Sequence, residues 1–210
     1  MSDEAKIHLS KYEREVVTNA DLFLTKQVII GKVYSFFGSM HEIYKSICIT
    51  GNTLPKKYQI KNGKISKGEN YLGLPYVILD YPATFERDNI FAIRTMFWWA
   101  NFFSVTLHIS GKEMMSKVNI PDFLSLIKEK DFLVCINEDE WQHNFERSNY
   151  ISTNEMDEIQ WDKVCKKSFI KISKKIDLIK WNEAPGFLEK SYRELIELVN
   201  VSFPGDEKAL

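Results

Sequence analysis

Neither sign of charge predominates in this chain of 210 residues, where 28 Lys and Arg stand against 29 Asp and Glu for a formal net charge of -1. No overall field exists to gather polyanions, which argues against a nucleic-acid binder and leaves only local basic patches. Cysteine is scarce too. Cys48, Cys135 and Cys165 are odd in number, far apart and without Cys-x-x-Cys spacing, so neither a complete disulfide framework nor a thiolate zinc site is expected. All three read as small buried hydrophobes. Long apolar runs are missing: even residues 95–110, which lack Asp, Glu, Lys and Arg, contain Asn101 and His108, and no membrane span is expected. The opening MSDEAKIHLSKYERE has no basic n-region or apolar h-region of a signal peptide, so the expected location is the cytoplasm.

The recurrent catalytic signatures are also lacking. Gly31 and Gly38 fall in a helical pattern and Gly63, Gly68 and Gly73 are scattered, with no Gly-x-Gly-x-x-Gly, P-loop or Gly-x-Ser-x-Gly elbow, so nucleotide cofactors lose support. Glu140 and His143 have the Glu-x-x-His spacing of carboxylate-bridged metal sites but no second copy, and His41-Glu42 lacks the second histidine of a zinc protease motif. No metal and no cofactor is expected.

What the chain does hold is 44% hydrophobic and 13% aromatic residues, enough for a large core filled with rings. The richest stretch is residues 91–110, FAIRTMFWWANFFSVTLHIS. A hairpin turning near residues 99–101 pairs Ala92 with His108, Arg94 with Thr106, Met96 with Ser104 and Trp98 with Phe102. One face then carries Phe91, Ile93, Thr95, Phe97, Phe103, Val105, Leu107 and Ile109 and must be core. The other mixes Trp98, Phe102 and Met96 with Arg94, Ser104, Thr106 and His108, which suits a pocket lining or a half-covered sheet surface. Trp98 and Trp99, being adjacent, must point to opposite sides. Arg94 cannot lose its proton and needs a partner; Asp80 on a neighbouring strand would serve, and an anionic ligand is the alternative. His108 titrates near neutrality, but Ser104 lies about 13 Å along the strand, too far for a nucleophile–base dyad.

Along the rest of the chain, apolar positions from residues 18–49 recur at helical spacing in two rows, one through Leu22, Ile29, Val33, Phe36, Met40, Ile43 and Ile47, the other through Phe23, Ile30, Phe37 and Tyr44. One long helix is predicted, capped at Thr18 and stopped at Gly51-Asn52, with Gly31 and Gly38 marking a close approach by another element or a ligand. Asn62-Gly63 signals a hairpin turn in an exposed β-ribbon around residues 56–68. Residues 74–81 form a strand stopped by Pro82. A helix follows over residues 119–130, burying Phe123, Leu124 and Ile127, then a short strand at 132–136 and a long polar loop or irregular helix at 137–150 anchored by Trp141 and Phe145. Ser152 and Glu155 form a capping box opening a helix to Lys167. Residues 168–178 make a strand, and residues 182–200 a final helix. The lysines of residues 163–175 read as a solvated face.

The order predicts an α+β fold, an antiparallel sheet packed against a long N-terminal and a C-terminal helix, as a single domain over residues 1–210. The favoured function is a soluble, non-catalytic binding or interaction protein whose site comprises Asp80, Arg94, Trp98, Phe102, Ser104, Thr106 and His108. Its partner is a small anionic or aromatic ligand or a protein, with neither nucleic acid nor membrane involved. A small-molecule enzyme using His108 as acid or base, with Arg94 or Asp80 orienting the substrate, is the alternative, and the sequence leaves open whether any reaction is catalysed. A homodimer formed through the long helix or the hairpin is a third reading.

Overall fold

A computed structural model describes residues 7–50 and 62–202. Its centre is a seven-stranded antiparallel sheet in the order β1-β2-β3-β4-β7-β5-β6. The strands are β1 Lys64–Tyr71, β2 Leu74–Glu86, β3 Asn89–Trp98, β4 Phe102–Ser110, β5 Leu133–Cys135, β6 Tyr150–Ser152 and β7 Phe169–Asp177. The helices are α1 Lys11–Val17, α2 Ala20–Thr50, α3 Lys112–Ser116, α4 Ile120–Glu129, α5 Glu158–Cys165 and α6 Ala184–Ser202. The fold is α+β, as the sequence predicts.

The β3–β4 hairpin has the register expected from its alternation, with Arg94 opposite Thr106 and Ala92 opposite His108. Its apolar face packs against α2 and α6, and every residue on it from Phe91 to Ile109 is buried. Thr95, the one polar member, is satisfied because its hydroxyl lies 3.1 Å from that of Tyr44 on α2, as a buried hydroxyl requires. Tyr44 also stacks on Tyr192 of α6, with centroids 3.7 Å apart, so this triad ties both helices to the sheet.

Several boundaries depart from expectation for identifiable reasons. Thr18 closes α1, whose capping box is formed by Ser10 and Glu13, and α2 is capped instead by Asn19, whose side chain accepts from the Leu22 amide. The Gly51-Asn52 stop lies outside the described residues. Pro82 does not end β2: the register against β3 shifts by one residue between Asp80 and Ala83, and at such an irregularity the ladder does not need the missing proline N–H. Ser152 caps only a 3-10 turn, Thr153–Glu155; the capping box that opens α5 belongs to Asp157 and Gln160. The ribbon's proposed first strand, at 58–61, falls outside the described residues, while β1 pairs with β2 through a tight turn at Leu72 and Gly73. Cys165 is exposed, unlike Cys48 and Cys135.

The glycines of α2 are also corrected. A Cβ built on Gly31 or Gly38 meets nothing within 4 Å, so among the described residues no element packs closely against the side-chain position of either glycine. Gly63 is the opposite case: its amide donates to His41 Nε2 at 3.0 Å, and a Cβ there would lie 2.5 Å from the imidazole ring. Replacing Gly31 with Ala should therefore stabilise the protein by about 0.5–1 kcal/mol through helix propensity alone, whereas Gly63→Ala should destabilise it by roughly 1–3 kcal/mol through overpacking. Urea midpoints of the two variants decide the matter, and equal shifts would contradict this account.

Candidate functional site

The face of the sheet turned away from α2 and α6 is laid out by parity. On β7, Lys171, Ser173 and Lys175 pair with His108, Thr106 and Ser104 of β4, so they extend the mixed face of the hairpin by one further strand. Asp80 of β2 pairs with Arg94 of β3, beside Thr106. Across this surface runs the irregular segment 137–149, a strap that closes off half of it.

At the strap-covered end the ionisable groups form a connected set. The Arg94 guanidinium donates two parallel hydrogen bonds to Asp80, Nε to Oδ1 at 2.7 Å and Nη2 to Oδ2 at 2.9 Å, the bidentate form that fixes both planes. Its Nη1 lies 3.2 Å from His143 Nε2 on the strap. His143 Nδ1 in turn lies 3.4 Å from the Lys171 amine, which donates to the backbone carbonyls of Glu140, at 2.8 Å, and of Gln142. His108 Nε2 meets Glu140 Oε2 at 2.8 Å under the indole of Trp141. Tyr71 completes the fastening, its hydroxyl accepting from the amides of His143 and Asn144 at 2.7 and 3.0 Å.

Burial governs the charges here. Lys171 is only 1% exposed, and desolvation, moderated by Cys135 and joined by the Arg94 charge, lowers its pKa from 10.5 to about 8. Burial and then the two flanking cations, Lys171 and Arg94, push His143 far below the ordinary imidazole range. His108 is lowered as well, chiefly by burial, against the opposing hydrogen bond from Glu140. Both imidazoles are therefore neutral near pH 7. Thr106 and Ser173 satisfy each other through hydroxyls 2.8 Å apart.

The other end of the mixed face stays open. Trp98, Phe102 and Phe145 gather there, with Trp98 and Phe102 centroids 5.4 Å apart and Phe102 and Phe145 4.8 Å apart. They wall a cavity of about 450 Å³ that Leu72, Ala100, Asn101, Asn144, Glu146, Lys175 and Asp177 complete. The Lys175 amine lies 5.2 Å from the centroid of Phe145. Trp99 turns to the other side and packs against the main core.

The seven residues singled out from sequence thus share one face, but in two environments. Trp98 and Phe102 line the cavity. Asp80, Arg94, Thr106 and His108 lie in the sealed half, and Ser104 is buried between the two ends at 2% exposure. The Asp80–Arg94 pair expected on adjacent strands is present. Glu140 and His143, whose spacing suggested metal chemistry, diverge onto different partners, and among the described residues no group of His, Cys, Asp and Glu is arranged to hold a metal ion. Lys171 was missed, being read with its neighbours as a solvated face; its signal lay in parity, since Ile170 and Ile172 point into the core and Lys171 must point the other way.

Two measurements test these assignments. Arg94→Met leaves Asp80 buried without its partner and should destabilise by about 3–5 kcal/mol, much of which Asp80→Asn should restore in the double variant; equal denaturant midpoints for single variant and parent would refute the pairing. For Lys171 the unfolded chain keeps its proton up to pH near 10.5 while the folded chain releases it near 8. The unfolded state binds more protons in that window, so stability rises with pH there, by at most about 1.4 kcal/mol per unit for one proton. The difference in unfolding free energy between parent and Lys171→Met should grow in the parent's favour from pH 8 to 10. Compared with known proteins, the chain matches no family model, no curated protein and no solved structure.

Proposed function

We propose that this chain is a non-catalytic binding protein, and that its ligand occupies the open, aromatic end of the mixed sheet face rather than the sealed end. The observation that carries this reading is Leu72. It lines the cavity while remaining 62% exposed and holding a φ of 50°. A left-handed backbone costs a non-glycine residue roughly 1–2 kcal/mol, and an exposed leucine gains nothing from burial in the free protein. The left-handed backbone serves the tight β1–β2 turn, while the exposed side chain would be covered if an apolar body filled the cavity.

The composition of the wall supports a class of ligand. Trp98, Phe102 and Phe145 offer ring edges and faces, and Lys175 offers one cation. A small aromatic acid suits this set, with its ring among the aromatic side chains and its carboxylate toward Lys175, while Glu146 and Asp177 on the rim disfavour a dianion. The catalytic alternative has one observation in its favour, the 2.8 Å contact between His108 and Glu140, which is the geometry of an oriented acid–base pair. Against it, His108 is 5% exposed under Trp141, and both Arg94 and Lys171 are fully engaged with protein partners. The binding reading is therefore preferred.

Titrating the isotope-labelled protein with small aromatic carboxylates should shift the amide resonances of Ala100, Asn101 and Asn144 and leave those beside His108 unmoved. Lys175→Gln should weaken that binding roughly tenfold with the thermal midpoint unchanged. Shifts centred on Arg94 and His108, or no saturable shifts at millimolar ligand, would overturn the assignment.

A further inference from the structure

The strap of residues 137–149 has no regular secondary structure, yet the principal side chains pinning it are ionisable: Lys171, Lys167, Arg94, His108 and Tyr71. Such a fastening depends on the number of protons it holds, and that number follows from the donors and acceptors present. Arg94 carries only N–H donors, so the nitrogen facing it, His143 Nε2, must accept. A neutral imidazole then bears its proton on Nδ1, which points at the Lys171 amine 3.4 Å away. That amine already serves two carbonyls, those of Glu140 and Gln142.

A neutral amine fits this arrangement completely. Its two N–H bonds go to the two carbonyls, and its lone pair receives Nδ1–H. An ammonium has three N–H bonds and no lone pair, so the third would meet Nδ1–H donor to donor. Shifting the imidazole proton to Nε2 removes that conflict only by creating the same one at Arg94. Every placement of protons that includes a charged Lys171 and a neutral His143 leaves one donor facing another; charging His143 as well makes two.

We propose that residues 137–149 form a proton-controlled cover that closes on the deprotonated amine of Lys171 and is loosened when that amine takes a proton from solvent. Burial is the largest influence on Lys171, and the groups around it act in both directions. Cys135 on β5, Asp139 and Glu140 on the strap favour its charged form, Arg94 on β3 opposes it, and His108 on β4 and His143 are neutral neighbours. Tyr150 of β6 presents its ring, 5.7 Å from the amine to the centroid, with its own hydroxyl kept protonated by burial. Asn144, Phe145 and Glu146 belong to the strap and line the cavity, so loosening the cover would also remodel that wall. The device itself holds whether or not the cavity has a ligand.

Trypsin cleavage at Arg147, whose side chain is 90% exposed on the strap, reads the opening directly when its rate is divided by that of an unstructured peptide at the same pH. Between an open state that titrates as an ordinary lysine and a closed state that titrates near 8, the normalised rate should fall about tenfold per unit as pH rises above 8. The parent should thus lose at least tenfold in normalised cleavage from pH 8.0 to 9.5, while cleavage within the sheet stays flat. Lys171→Met should abolish the pH dependence, and His143→Leu, which leaves the amine but removes the competing donor, should move its midpoint to higher pH. A flat profile in the parent, the same profile in Lys171→Met, or an unmoved midpoint in His143→Leu would each overturn the proposal; should Lys171→Met not fold, the parent and His143→Leu profiles decide it.

Discussion

A guanidinium that strand register buries in a sheet must be answered, and the arrangement around Arg94 follows from that demand. The side chain is only 17% exposed and brings five N–H donors and no acceptor into the sheet. Asp80 answers it across the β2–β3 pair, and what is left of its donor capacity fixes His143 as an acceptor. That in turn orients the imidazole toward Lys171 and sets the path of the strap. One immovable charge thus determines the local form of a segment roughly fifty residues further along the chain.

The two ends of the mixed face represent two ways of covering a sheet. Where the rows carry Arg94, His108 and Lys171, the chain supplies its own polar cover with defined partners, and little room is left. Where they carry Trp98 and Phe102, the strap contributes Asn144, Phe145 and Glu146 to the wall, and the cavity remains. Aromatic walls, a nearby cation and free volume coincide at that second end.

The sequence made the fold legible wherever alternation or helical spacing ran uninterrupted. The β3–β4 register followed from parity alone, since a slip by one residue would have turned Phe91, Ile93 and Phe97 outward. The Asp80–Arg94 pair followed from a charge that needed an opposite one within reach. Boundaries failed where two local signals competed: Thr18 and Asn19 both cap helices, and Pro82 stands at an irregularity where a proline is tolerated. The role of Lys171 was hidden for a different reason. Its environment is assembled from β3, β4, β5 and the strap, and no local pattern encodes which strand β7 lies against. Leu72 was equally silent, because a left-handed leucine leaves no compositional trace.

Of the three thiols, two are interior, and burial raises the pKa of both, Cys48 to about 11. Only Cys165, at the end of α5, faces water. It stands two positions before Lys167, whose amine holds the carbonyl of Asn137 where the strap begins. The unmodified chain therefore carries a built-in attachment point for a maleimide dye at the root of its most consequential irregular segment, so spectroscopy can follow that segment without any engineered residue.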